Sequence, residues 1–302
     1  MNYQATDLHR VARKLTEIIE DDLEKAGIFF RIFNRCKQPQ SLEKKLDTKL
    51  SDDTLKYDGT SKFLRDIIGI RINLYFVDDL EIMLKHFKSK HKDLYVEEAV
   101  DVNTDSEFKP TRVNLIFKIP QSLTEEFRSS VSDARIDSTF ELQLRTVFSE
   151  GWHEVEHDFR YKCQDDWINH TPLSRTFNGM LAELETHEWG MIKIFEELGY
   201  SFYKSSNYSG MIRMRMRIRT EDYYLSPELE KAIAKNPAFL KDFFKLERPK
   251  LINLLLGDIV RIPFILDNLV YLVNYTFLHN EEIKKLIPGP LLEQFKDIEQ
   301  LT

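Results

Sequence analysis

Glu141, Gln143 and Arg145 occupy alternate positions of the run FELQLRT, with Phe140, Leu142 and Leu144 between them. Strict alternation over such a run makes an extended strand with one apolar and one polar face. The polar face here is an acid, an amide and a guanidinium in a row. A carboxylate can hold Mg²⁺ or take a proton, a guanidinium fork matches phosphate oxygens, and an amide can orient either. The plainer alternative is a solvated strand face. The sequence then changes period, and residues 147–162 read as a helix carrying Trp152, Glu154, Glu156, His157 and Asp158. Trp152 and Tyr161 read as packing residues rather than catalysts, while Glu154 and Glu156 could be either, a solvated helix face being preferred.

A second group lies upstream. Arg35, Lys37, Lys44 and Lys45 crowd a short stretch around Ser41, which is placed to cap a helix beginning there. A capped helix start with lysines beside it favours anions. Asp66 stands just before the next apolar run and Arg71 lies within it. Taken singly, these are an ordinary basic surface, a polar strand entry and a snorkelling arginine. Taken together, two separated carboxylates and several cations are the parts of a Mg²⁺–nucleotide site, in which acids hold the metal and cations hold the phosphates. No glycine-rich phosphate loop is present, which argues against a P-loop enzyme.

The elements that must position these groups follow from periodicity. Leu8, Val11, Leu15, Ile18, Ile19 and Leu23 recur at helical spacing over residues 6–30. IGIRINLYF and TRVNLIFKIP alternate as strands, and Pro120 closes the second. DLEIMLKHFKSK and residues 122–131 and 173–199 read as helices. The fold class is therefore α/β (α+β), a mixed β-sheet flanked by helices over residues 1–165, with a mainly helical C-terminal region over 166–302 cut into short helices by Pro237, Pro249, Pro263 and Pro288. A chain of 302 residues with 42% hydrophobic residues and 21 Phe has ample material for such cores. Its net charge of −7 argues against a surface that binds nucleic acid everywhere, though not against a local basic site. Only Cys36 and Cys163 are present, with no metal spacing, and the N-terminus is unlike a signal peptide, so a cytoplasmic location is expected. No apolar run reaches membrane-spanning length, so no membrane partner is expected.

Three segments together resemble the synthetase domain of the RelA/SpoT-homology alarmone synthetases: RCKQPQSLEKK, DIIGIR and ELQLRTVFSEGWHEVEHDFRYK, in that order. The resemblance covers roughly residues 30–162 and implies a nucleotidyltransferase-like fold. It implies an enzyme, a GTP pyrophosphokinase-like transferase that moves the β,γ-pyrophosphate of ATP to the 3′-hydroxyl of GDP or GTP, with AMP leaving. By the same resemblance Arg35 and Arg71 would sandwich the adenine, Lys37, Ser41 and Lys45 would hold the ATP phosphates, and Asp66 and Glu141 would hold Mg²⁺. Glu141 would also take the hydroxyl proton, with Gln143, Arg145 and His157 supporting the acceptor side or the strand.

One loop departs from the family pattern. The family's acceptor loop reads Gly-Tyr-x-Ser-x-His; here its tyrosine position falls on Pro110 and its histidine position on Asn114. Phe108 or Tyr75 is left to supply a stacking surface, and GDP and GTP are expected to be slow acceptors. Two alternatives therefore accompany the alarmone reading: pyrophosphate transfer to the 3′ end of tRNA, and a degenerate synthetase that senses nucleotide without catalysis. MIRMRMRIR, read as an extended segment, would set Arg213, Arg215, Arg217 and Arg219 on one face, suited to RNA or paired with nearby acids, the latter being the preferred reading. The apolar C-terminal helices leave room for a homo-oligomer.

Overall fold

The computed structural model describes residues 2–100, 113–257 and 261–299. The chain divides into two compact units, Met1–Asp21 with Phe30–Thr186, and Asp22–Phe29 with His187–Thr302. In order, the chain first forms β1 (Asn2–Tyr3), α1 (Ala5–Lys25), β2 (Phe30–Cys36), α2 (Pro39–Leu46), β3 (Ile68–Leu74), α3 (Asp78–Lys90), β4 (Tyr95–Val100) and β5 (Val113–Lys118). It continues through α4 (Gln121–Ser130), β6 (Val131–Ser132), β7 (Thr139–Thr146), α5 (Val147–Glu156), a π-helical turn (His157–Tyr161), α6 (Gln164–Trp167) and α7 (Thr171–Lys204).

In the first unit five strands make one mixed sheet in the order β2-β3-β7-β5-β4. Only β3 and β7 run parallel; the other neighbours are antiparallel. Alternation divides the sheet. Ile68, Ile70, Ile72 and Leu74 of β3, Leu142 and Leu144 of β7, and Leu115 and Phe117 of β5 form a buried apolar face. Met83 and Phe87 of α3, Leu8, Val11 and Leu15 of α1, and Phe127 of α4 are buried in the same unit. The opposite face carries the chemistry. Register sets Arg35, Gly69 and Glu141 in one row across β2, β3 and β7, then Phe33, Arg71 and Gln143, then Arg31, Asn73 and Arg145. Asn114 of β5 continues the middle row beside Gln143. The mixed sheet with flanking helices agrees with the fold class expected from the sequence.

Two strands of the five-stranded sheet escaped the sequence reading. β2 lies at the sheet edge, and most of its residues are exposed whichever way they point, so Phe33 and Asn34 blur its alternation. β4, with sequence YVEEAV, is the other edge and carries adjacent glutamates. The expected cap at Ser41 is corrected as well. α2 starts two residues earlier, with Pro39 at its first position and Gln38 as cap residue, making no side-chain capping bond. Proline's fixed φ and missing N–H suit that position, and this outweighs the serine signal. Tyr75 lies past the end of β3 and so is not a residue of the strand face shared with Arg71.

The second unit is helical in its later part: α8 (Tyr208–Met216), α9 (Pro227–Lys235), α10 (Pro237–Lys245), α11 (Arg248–Leu256), α12 (Leu266–Val273), α13 (Glu281–Lys284) and α14 (Gly289–Glu299). Leu251, Ile252, Leu255, Leu269, Val270, Leu272 and Phe295 are buried in it. Proline opens α9 and α10 and stands in the first turn of α11. The extended reading of MIRMRMRIR is overturned. Arg213 and Arg215 lie in α8, whose start is capped by the Asn207 side chain, and Arg217 ends it in the left-handed region at φ 45°. Met and Arg are good helix formers, so local propensity and the cap decide against a pattern that merely alternates. The arginines are dispersed. Arg213 reaches the Tyr223 carbonyl, Arg215 lies over the Phe244 ring at 4.9 Å and 4.0 Å from Glu196, and Arg217 is buried. Buried Arg248 donates from Nε to the Met216 carbonyl at 2.6 Å and from Nη2 to the Arg217 carbonyl at 3.3 Å, closing the C-terminus of α8.

Candidate active site

A cleft of about 900 Å³ opens in the first unit beside the polar face of the sheet. Among its lining residues are Arg35, Lys37, Ser41, Lys45, Asp66, Arg71, Asn114, Gln143, Arg145 and His157. These come from β2, α2, the loop before β3, and from β3, β5, β7 and the π-helical turn. Glu141 is joined to them through Gln143, whose Nε2 donates to Glu141 Oε2 at 2.8 Å. The metal, phosphate and acceptor-side candidates of the sequence analysis other than the stacking residues are therefore in the cleft or bonded to it. Pro110 and Phe108 lie outside the described residues. Tyr75 is not among the lining residues.

Ammonium groups gather at the α2 end. Lys37 and Lys45 both donate to Asp66 Oδ2, at 2.5 Å and 2.6 Å. Burial alone would push the Asp66 carboxyl up, but the bonds and charge of the two lysines outweigh it and hold the group below the usual carboxylate range. Burial pulls the deeper Lys37 ammonium down, against Asp66, while Asp66 outweighs burial at Lys45 and raises it. The three groups carry one net positive charge, and the first turn of α2, including Ser41, adds N–H groups that the helix itself leaves without partners. This end suits phosphate. Asp66 Oδ1 is buried and has no hydrogen-bond partner among the described residues. That unused carboxylate oxygen, beside the two lysines, fits a divalent cation such as Mg²⁺ that would also bind substrate phosphate. Among the described residues no cluster of three or more His, Cys, Asp or Glu could hold a metal alone. A cation here would take its remaining ligands from substrate phosphates and water.

The other end is a guanidinium network. Arg71 donates from Nε to Gln143 Oε1 at 3.0 Å and from Nη1 to Glu150 and Glu154. Burial lowers the Arg71 guanidinium's pKa, and the two glutamates outweigh it and raise it. Arg145 Nε stands 3.3 Å from Glu150 Oε2. Glu154 is thus not merely a solvated residue, and Glu156 is bonded to Arg160, so the expectation for both is corrected. The reason is local. Thr146 ends β7 and caps α5, its Oγ1 accepting from the Ser149 N–H at 3.1 Å while Ser149 Oγ accepts from the Thr146 N–H at 3.1 Å. That box turns the chain directly from strand to helix. Glu150 and Glu154, one turn apart, then share a side and meet Arg71.

Trp152 is a packing residue as expected. It stacks on Phe177 at 4.8 Å and donates from its indole to the Phe177 carbonyl at 3.0 Å. Tyr161 is not. It is 60% exposed, lines the cleft and stacks on His157 at 5.6 Å. The π-helical turn at His157–Tyr161 produces this face, and no periodicity in the sequence signals it. Phe33 and Asn73 were also missed: Phe33 joins the polar face only once β2 is paired to β3, whereas Asn73 lies on the β3 face that already carries Arg71.

Lys37, Lys45 and Asp66 gather at one end of the sheet's polar face and the braced Arg71 guanidinium at the other, an arrangement whose charges suit a nucleotide. Residues 34–166 match the family model described as "Region found in RelA / SpoT proteins". GTP pyrophosphokinase YwaC of Bacillus subtilis is 27% identical over 134 residues, which are 44% of this chain and 59% of that protein. The chain thus spans less than two thirds of that relative. Among solved structures, small alarmone synthetase 2 from Bacillus subtilis matches at 22% identity and a TM-score of 0.47, covering 63% of this chain and 96% of that one. Small alarmone synthetase 1 from the same organism matches at 19% identity and a TM-score of 0.45, covering 63% and 92%.

Proposed function

We propose that the chain is a pyrophosphokinase that transfers the β,γ-pyrophosphate of ATP to the 3′-hydroxyl of an acceptor nucleotide, as the name of its Bacillus subtilis relative suggests for GTP. The observation that carries the proposal is Asp66 holding Lys37 and Lys45 on one oxygen while its other oxygen is unpartnered, within the cleft that contains Arg35 and Arg71. In this reading Arg35 and Arg71 lie against the adenine, and Lys37, Ser41 and Lys45 hold the phosphates. Mg²⁺ held by Asp66 and Glu141 would neutralise phosphate charge. Glu141 takes the proton from the acceptor hydroxyl. The hydroxyl oxygen bonds to the β-phosphorus, the bond from that phosphorus to the oxygen bridging to the α-phosphate breaks, and AMP departs with the electron pair. Gln143 holds Glu141 in place, and Arg145 and His157 support the acceptor side.

GDP and GTP are the first acceptors to consider, and slower ones than the family's tyrosine loop would allow, because Asn114 and Pro110 stand at its histidine and tyrosine positions. Exposed Tyr161 offers an aromatic face on the cleft wall that Pro110 does not. The tRNA reading keeps the divergent loop as its ground but loses the support of an arginine row, since Arg213 and Arg215 lie in α8 and Arg217 ends it. Incubating the protein with terminally labelled ATP and, separately, GDP, GTP, ATP and tRNA tests the assignment. Label on a guanosine nucleotide supports it. Label confined to tRNA moves the acceptor. Nucleotide binding without any transfer supports the sensor reading instead.

A further inference from the structure

We propose that Asn73 and Phe33 make the donor-base pocket selective for adenine, with Asn73 reading the exocyclic amine and Phe33 supplying a stacking surface. The inference rests on the reading of the cleft as an ATP site. A hollow of about 470 Å³, the size of a small-ligand pocket, opens on the β2 side and shares Arg35, Arg71 and Gln143 with the larger cleft. Phe33 stands directly opposite Arg71 in the β2–β3 register, and its ring is 52% exposed on the polar face. A phenyl ring there contributes little to the core, whereas it gives a base something to lie on. Gly69 keeps the floor low: a Cβ at that position would stand 3.2 Å from Arg35 Nε, so the Arg35 side chain lies over the bare backbone.

Asn73 sits two residues beyond Arg71 on the same face of β3 and lines this hollow. It is only 5% exposed, and its Oδ1 is buried without a hydrogen-bond partner among the described residues. A buried acceptor left unpaired is costly, and a ligand donor would remove that cost. An asparagine amide presents an acceptor and a donor side by side. Adenine presents the complement, an amine beside a ring nitrogen, whereas guanine and hypoxanthine place a carbonyl oxygen where the amine would be. Arg71 is held in its own plane by Gln143, Glu150 and Glu154, which leaves the faces of the guanidinium for a ring. The pocket thus combines stacking that tolerates any purine with one amide that does not.

Calorimetry with the Mg²⁺ salts of α,β-methylene ATP and its inosine counterpart tests this, since neither analogue has the bond that the transfer breaks. Wild type should prefer the adenine compound by about tenfold, the value of one good amide–adenine pairing. Asn73→Leu should lose that preference by weakening the adenine compound alone, with no fall in melting temperature, because the Oδ1 it removes is buried without a partner among the described residues. Asn73→Ser should give the same loss if the leucine does not pack. Phe33→Ala should weaken both compounds by a similar factor and keep the ratio. Equal affinity of wild type for the two compounds overturns the inference and leaves the ATP reading intact, as does a preference that survives in the Asn73 variants. Failure of wild type to bind either compound overturns both.

Discussion

Asp66 carries two ammonium groups on one oxygen, and that geometry makes its own forecast. Asp66→Asn leaves Lys37 and Lys45 facing each other without a counter-charge, Lys37 in a largely buried position with 16% of its side chain exposed. Both melting temperature and nucleotide affinity should fall. The pH dependence follows from the direction of the shift. The folded-state carboxyl is held below its unfolded value, so its contribution is fully present above the unfolded pKa, about 3.9, and is lost as pH falls through the lower folded value. The gap in melting temperature between wild type and Asp66→Asn should therefore stay flat from about pH 5 to 8 and close only under stronger acid. Thermal scans across that range check it, and a gap that closes near pH 6 would assign the stabilisation to another group.

At the scale of elements, the turn from β7 into α5 decides whether the site assembles. Thr146 is 1% exposed and Ser149 8% exposed, so their reciprocal bonds have no water to replace them. Thr146→Ala should cost about 1 kcal/mol of stability, the usual value of a helix cap. It should also reduce turnover by more than that loss of fold explains, because Glu150 and Glu154 brace Arg71 from this helix. Denaturant titration beside steady-state rates separates the two effects. The polar face of β7 was legible in the sequence because a strand's period of two shows directly in residue types. Its partner rows were less so. Arg35 was found through its motif but Phe33 was not, since an exposed edge strand has no buried face to write an alternation into its sequence. MIRMRMRIR failed for the opposite reason. It alternates without being a strand, and the Asn207 cap and helix propensity override the pattern. The π-helical stack of His157 on Tyr161 has no sequence period at all.

For the molecule as a whole, the segment that matches the RelA / SpoT family model lies within the first unit, and the second has its own helical core. No described helix is long and apolar enough to cross a membrane. Arg217 is buried and ends α8, so Arg217→Glu should act on stability, lowering the melting temperature, without changing any salt dependence of RNA binding. A flattened salt slope in a variant that remains folded would restore the nucleic-acid role. On the proposed reading the bond between the α- and β-phosphates of ATP breaks, and the departing nucleotide reports it. Phosphorus NMR of the protein with ATP, Mg²⁺ and GDP or GTP should show AMP accumulating in step with a 3′-pyrophosphorylated acceptor, and neither product with Glu141→Ala or Asp66→Asn. Release of ADP, or AMP formation unaffected by both substitutions, would contradict the account.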